Sequence, residues 1–184
     1  MNTGVISVRY AKALLEYAQA QGVEDKVYGE MKTLAARFAQ VPDLRRSVEN
    51  PVLDADTKIG LLQEAVGKKN ASKELLRFFR LVLEKKREKF LQFMILSYID
   101  LYRESKNILI GQLTTAVPSP SLVRSLKEKA EKLTGGTVEL ETTVNPDIIG
   151  GYVIELAGNR VDASIANQLK RVEQQFLTRN RRIV

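Results

Sequence analysis

Four groups of residues in this chain have types and spacings that could do chemistry. Gly150-Gly151 could cradle a phosphate, and Asp162, two residues before Ser164, could hold a metal or move a proton. The basic runs Lys85 to Lys89 and Arg179 to Arg182 could meet nucleic acid or anionic lipid. Each group has a cheaper structural reading. A phosphate loop needs Gly-x-Gly-x-x-Gly or Gly-Lys-Ser/Thr leading into a helix whose N–H groups hold the anion, whereas the apolar run after this pair reads as a strand. Asp162 has no carboxylate partner at useful spacing, and an Asp followed by Ser two residues on suits an Asx turn or a helix cap. The basic runs fit a solvated helix end and a chain terminus. With 0 His and 0 Cys, thiolate zinc sites, Ser-His or Cys nucleophiles and histidine switches are excluded. Any enzyme built here would have to use carboxylates, lysines or a bound metal alone. We expect no catalytic residue, no metal site and no cofactor, and look instead for surfaces that bind partners.

The 184 residues suffice for one large domain or two small ones. The net charge of +7 is spread along them: residues 1–105 carry 18 Lys+Arg against 14 Asp+Glu and residues 106–184 carry 11 against 8, giving +4 and +3. The first residues lack the pattern of a signal or transit peptide, and no apolar run approaches the ~20 residues that span a bilayer. Membrane contact is therefore expected only through partners.

Up to residue 105 apolar residues recur at three and four, the period of helices. Val5 to Ala20 reads as a first helix closed by Gly22. Val27, Met31, Leu34, Phe38 and Val41 trace a second, stopped by Pro42, and a short turn spans Leu44 to Val48. Asp54 caps a further helix carrying Ile59, Leu62 and Val66, Ser72 caps one running to Glu84, and the last extends from Glu88 to Ser105. After Lys106 the period changes to two. A strand over 107–117, with Leu109, Leu113 and Val117 on one face, precedes a helix between Pro118 and Leu133 that Gly135-Gly136 ends. Val138 to Val144 alternates as a second strand. Gly150-Gly151 launches a third, a Gly158-Asn159 turn with Gly158 in its first central position reverses it, and Ser164 caps a final helix carrying Ile165, Leu169, Val172 and Phe176. The expected fold class is α+β in two domains. Residues 1–105 form a bundle of five to six helices, and residues 106–184 a small β-α-β-β-β-α domain. Ten of the 12 aromatic residues lie before residue 106, which agrees with two separately built cores.

The first helix carries more apolar surface than one bundle can hide. At about 100° per residue, its charged positions Arg9, Lys12 and Glu16 leave apolar residues over roughly 240° of arc. Val8, Ala11, Leu15 and Ala18 are enough to join the core, which leaves Ile6, Tyr10, Ala13 and Tyr17, with Leu14 beside them, as a second stripe. In the helix after Ser72, Leu76, Phe79 and Leu83 face inward while Phe78, Leu81 and Val82, with Lys85 nearby, extend the apolar arc sideways. The two surplus stripes could line one groove. The alternative is that both belong to the core of a compact bundle.

Residues 145 to 171 carry a further signal, Asn-Pro-x-x-Ile-Gly-Gly, an apolar strand, a glycine turn, Val161-Asp162-Ala163-Ser164-Ile165 and a helix with Leu and Arg. This order, without a gap, resembles the C-terminal signature of the delta subunits of rotary ATP synthases, the family that includes the mitochondrial oligomycin-sensitivity-conferring protein. Arg9-Tyr10-Ala11-Lys12-Ala13-Leu14 and Glu49-Asn50-Pro51-Val52 followed by Lys58 resemble its other markers, so the likeness spans nearly the whole chain. Lys85-Lys86-Arg87, after Glu84, departs from the Asn, Gly or Lys, Arg that the family often has at this place.

The resemblance implies a non-catalytic stator connector, present once per complex, that couples proton translocation to ATP synthesis. Its helical domain would hold the N-terminal segment of an α subunit of the catalytic head as a helix in the groove, and its C-terminal domain would meet the b subunits of the peripheral stalk. Nanomolar retention would take about 12 kcal/mol, within reach of a standard interface of roughly 1,600 Å² with buried aromatic anchors. A start at Met1 without a transit segment points to a bacterial protein on the cytoplasmic face of the inner membrane. A different reading, a basic RNA-binding protein, rests on a sequence pI near 9.6 and an α/β C-terminal half. It would need exposed aromatics for base stacking, and the C-terminal half has only Tyr152 and Phe176.

Overall fold

The computed structural model describes residues 3–67, 71–156 and 158–180. The chain forms two compact units, residues 1–105 and 106–184. The first is built from α1 (Thr3–Gln21), α2 (Glu24–Gln40), α3 (Pro42–Glu49), α4 (Ala55–Val66), α5 (Lys73–Glu84), a 3-10 turn (Glu88–Phe90) and α6 (Leu91–Ser105). The second is built from β1 (Ile108–Thr115), α7 (Pro120–Thr134), β2 (Thr137–Val144), a 3-10 turn (Pro146–Ile148), β3 (Tyr152–Leu156), β4 (Asn159–Asp162) and α8 (Ile165–Asn180).

In the helical unit α6 packs against both α1 and α2. Its stripe Leu91, Met94, Ile95, Tyr98 and Tyr102 is buried, and so are Val27, Met31, Leu34 and Phe38 of α2. Burial of side chains of this size stabilises by about 1.5–3 kcal/mol each. The helix ends follow local chemistry. Gly22, at φ 66°, closes α1. Asp54 and Ser72 accept the N–H groups of Thr57 and Leu75 at the starts of α4 and α5. The hydrogen bonds from Thr57 hold the Asp54 carboxyl below the usual carboxylate range.

Three expectations need correction here. The segment Leu44 to Val48 is no isolated turn but part of α3, because Pro42 begins that helix at a position where its missing N–H costs nothing. Val41, exposed beyond the end of α2, does not join the core. On α1 the core stripe runs through Ser7, Ala11, Leu14, Leu15 and Ala18, while Val8 is exposed.

Polar groups tie the bundle where the apolar pattern says nothing. The Glu30 carboxylate, buried in α2, accepts hydrogen bonds from the Ser72 backbone N–H at 2.8 Å and its hydroxyl at 2.6 Å, clasping the start of α5. Burial pushes the Glu30 carboxyl up, outweighing the lowering by Ser72 and Lys26. A raised folded-state value means that the carboxyl contributes most stability below its ordinary range and loses it as pH rises through the folded value. Glu30→Gln should therefore gain in melting temperature relative to the wild type between pH 4.5 and pH 7.5. A difference between the two proteins that does not change with pH would refute this. At the end of α6, Tyr102 stacks on Tyr28 with centroids 4.1 Å apart and donates to Asp25 Oδ1 at 2.6 Å.

The second unit is a four-stranded sheet in the order β2-β1-β3-β4. β1 and β2 run parallel, which the α7 crossover permits, while β3 lies antiparallel to β1 and to β4. Gly111 pairs with Leu140 on one side and Leu156 on the other, and a Cβ there would press on both leucine side chains. Leu113 and Val138 are buried, as are Leu126 and Ala130 of α7. Val117 lies beyond the end of β1 and is exposed, so it does not extend the inward face with Leu109 and Leu113. The hairpin is displaced by one residue from its expected place. Leu156 pairs with Asn159, which makes Gly158, at φ 79°, the second loop residue and Asn159 the first of β4.

Candidate functional site

The double-glycine motif is a junction between a strand and a helix. Gly151, at φ 76°, brings the chain against the Ala163 carbonyl, and Gly150 leaves room for the Ile165 side chain while its own carbonyl accepts the Ile165 N–H at 3.0 Å. Asp162 Oδ1 accepts both the backbone N–H of Ser164 at 3.0 Å and its hydroxyl at 2.6 Å. These bonds hold the Asp162 carboxyl below its ordinary value. Ser164 Oγ in turn accepts the Asn167 N–H at 3.2 Å and so caps α8. Gly150, Gly151, Asp162 and Ser164 are spent on this junction.

The surface that can bind lies in the helical unit. α1 and α5 form the walls of an open groove of about 720 Å³ lined by Tyr10, Ala13, Leu14, Tyr17, Phe78 and Leu81, with Arg9, Glu74, Arg77, Arg80 and Glu84 among its charged members. Tyr10 meets Phe78 edge to face, their centroids 6.5 Å apart. Two arginines brace the tyrosines from the α5 side. Arg77 lies 5.6 Å from the Tyr17 ring and donates to its hydroxyl at 3.4 Å, and Arg87 lies 5.3 Å from the Tyr10 ring. Arg87 reaches that place because α5 ends with Lys86 left-handed at φ 52°, the Lys86 N–H bonding the Leu83 carbonyl and the Arg87 N–H that of Val82. A lysine thus does what a glycine commonly does at a helix C-terminus.

Six of the nine expected partner-binding residues line this groove, and three do not. Ile6 is half-buried on α1 outside the lining, and Lys85 is exposed beside Glu84, 3.1 Å away. Val82 is 1% exposed and belongs to the core, not to a surface stripe. The inward face of α5 is Leu75, Phe78, Phe79, Val82 and Leu83, and Leu76 is only half-buried. Sequence reasoning missed the charged members. Their positions were available, since Arg9 precedes Ala13 by four residues, and Arg77 and Glu84 flank Leu81 at four and three.

The described basic run, Lys85 to Lys89, is partly engaged with its own neighbours. Within Lys85 to Lys89, Lys85 lies beside Glu84 and Arg87 lies over Tyr10. Tyr152 is half-buried on β3. The Phe176 side chain and Arg179 to Arg182 fall outside what is described of side chains. On the C-terminal unit Ile165, Leu169 and Val172 of α8 are exposed at helical spacing.

Comparison with known proteins decides the family. Residues 6–176 match the family described as ATP synthase delta (OSCP) subunit. The chain belongs to that family. It is 53% identical to ATP synthase subunit delta of Phocaeicola vulgatus and 46% identical to that of Bacteroides thetaiotaomicron, with all of each chain covered. The subunit delta of Microcystis aeruginosa is 34% identical over 91% of this chain and 92% of its own. In fold the chain resembles one from the Toxoplasma gondii mitochondrial ATP synthase hexamer, with a TM-score of 0.64 and 20% identity over 93% of this chain and 97% of that one. It is thus a structural subunit of ATP synthase, not the catalytic one. No described helix is long and apolar enough to cross a membrane.

Proposed function

We propose that this subunit is the stator connector of its ATP synthase. One copy binds the N-terminal segment of an α subunit in the α1/α5 groove and binds the b subunits of the peripheral stalk through residues 106–184, on the cytoplasmic face of the membrane. The observation that carries this reading is the groove itself, which stays open along Tyr10, Ala13, Leu14, Phe78 and Leu81 although Leu14 and Phe78 also pack into the bundle. Such a trough suits the apolar face of an amphipathic helix. The exposed stripe Ile165, Leu169 and Val172 supports a second helical contact, of the kind a stalk coiled coil offers. Torque on the catalytic head then passes through two adhesive surfaces, and resisting it keeps proton flow coupled to ATP synthesis.

Ala13→Asp in the full-length chain tests both contacts at once. Ala13 is exposed on the groove floor, so the fold should survive, while a carboxylate facing an apolar helix should weaken binding of an α-subunit N-terminal peptide at least about tenfold. Capture of the b subunits should not change. Undiminished peptide binding by titration calorimetry would refute the groove assignment, and loss of b alone would show that the two units have the opposite roles.

A further inference from the structure

We propose that the groove selects a helix whose apolar stripe is flanked by carboxylates, with Arg9 and Arg80 reading those carboxylates from opposite walls. The inference rests on the groove being a docking site for a subunit helix and adds the chemistry that chooses among helices. An apolar floor accepts any amphipathic helix of suitable width, so discrimination must come from its margins.

The charges along those margins are not equivalent. Arg77 is engaged with Tyr17, and Glu84 lies beside Lys85. Glu74 occupies the first turn of α5, where the helix dipole favours a carboxylate. Arg9 on α1 and Arg80 on α5 are exposed, line the groove, and have no ion pair or ring contact among the described residues. One unneutralised cation thus stands on each wall. A helix laid between them brings the two flanks of its stripe to the two walls, so charge complementarity asks for Asp or Glu on both flanks and opposes Lys or Arg there. Because both arginines are exposed, their effect should be modest singly and sensitive to salt.

The test uses the full-length chain and titration calorimetry at 50 and 500 mM salt. Three synthetic helical peptides share one apolar stripe and carry Glu, Gln or Lys at the flanking positions, and the N-terminal segment of the α subunit is the fourth ligand. Affinity should fall in the order Glu, Gln, Lys at low salt, with the spread between the extremes about tenfold and largely lost at high salt. Arg9→Gln and Arg80→Gln should each weaken the Glu-flanked peptide about two- to fivefold and leave the Gln-flanked peptide unchanged. Equal binding of the three designed peptides, or an equal effect of the arginine variants on all of them, would overturn the proposal. If the α-subunit segment binds but ignores salt and both substitutions, the charge rule fails and the docking assignment stands. If that segment does not bind while the designed peptides follow the expected order, the partner assignment fails and the charge rule stands.

Discussion

Gly151→Ala should unfold the C-terminal unit while leaving the helical unit and its groove intact. Two costs coincide at this position. The backbone is at φ 76°, which a residue with a Cβ adopts only at about 1–3 kcal/mol, and the added carbon would be driven into the Ala163 carbonyl oxygen. That oxygen belongs to the backbone just ahead of α8, so it cannot swing aside as a side-chain tip would. The Ala163 N–H bonds the Tyr152 carbonyl at 2.9 Å, and any retreat of the carbonyl would strain that link between the start of β3 and the entry to α8. We expect a loss of about 3 kcal/mol or more, a large part of the stability of a unit this small. Gly158→Ala is the control, since its φ of 79° is similar but open space surrounds the new carbon, and only about 1–2 kcal/mol should be lost. Thermal unfolding followed by circular dichroism, with α-peptide binding as a separate readout of the helical unit, distinguishes the cases. Equal effects of the two substitutions would show that the close approach to Ala163 contributes nothing.

The same junction shows what could be read before the structure. Gly150-Gly151 followed by an apolar run, and Asp162 with Ser164 before a helical period, are local signals, because a strand start, an Asx turn and a cap each need only a few neighbouring residues. The helices followed from the three-and-four period and the caps Asp54 and Ser72 for the same reason. Two kinds of information were not local. On α1 the apolar arc is so wide that several stripes satisfy the pattern equally, and only packing against the neighbouring helices α2, α5 and α6 decides that Ser7 and Leu14 are buried while Val8 is not. That ambiguity is also what marked α1 as carrying a surplus face, so the groove floor was legible although its exact boundary was not. Pairings over long sequence distances were invisible. Glu30 with Ser72 spans 42 residues, and neither residue type nor spacing announces it. The strand order was out of reach for a related reason, since β1 lies between a parallel and an antiparallel partner and alternation alone does not choose which strands meet.

Lys58→Met should be among the most damaging single substitutions in the helical unit, although Met nearly matches lysine in length and suits a buried position. Lys58 was a residue of the Asn50-Pro51 marker with no role legible in the sequence. In the fold its side chain is 4% exposed, and its Nζ lies 3.0 Å from Oε1 of Glu88, itself 15% exposed, across 30 residues of chain. The pair joins α4 to the 3-10 turn that leads into α6. Glu88 Oε2 is buried and has no hydrogen-bond partner among the described residues, so the lysine is the group that compensates this carboxylate. Removing the ammonium strands a buried charge, which costs about 3–5 kcal/mol, far more than the small penalty of exchanging one straight side chain for another. Replacing both partners removes the charge together with its compensation. The double variant Lys58→Met/Glu88→Leu should therefore recover most of the lost stability, because two desolvated charges joined by one short contact often do no better than apolar groups of similar volume. Urea denaturation of the wild type, both single variants and the double variant forms a closed cycle. Recovery in the double variant makes the pair an electrostatic dependency built into the bundle. Additive losses would instead mean that Lys58 and Glu88 stabilise through separate packing contacts and that the 3.0 Å contact carries no energy of its own.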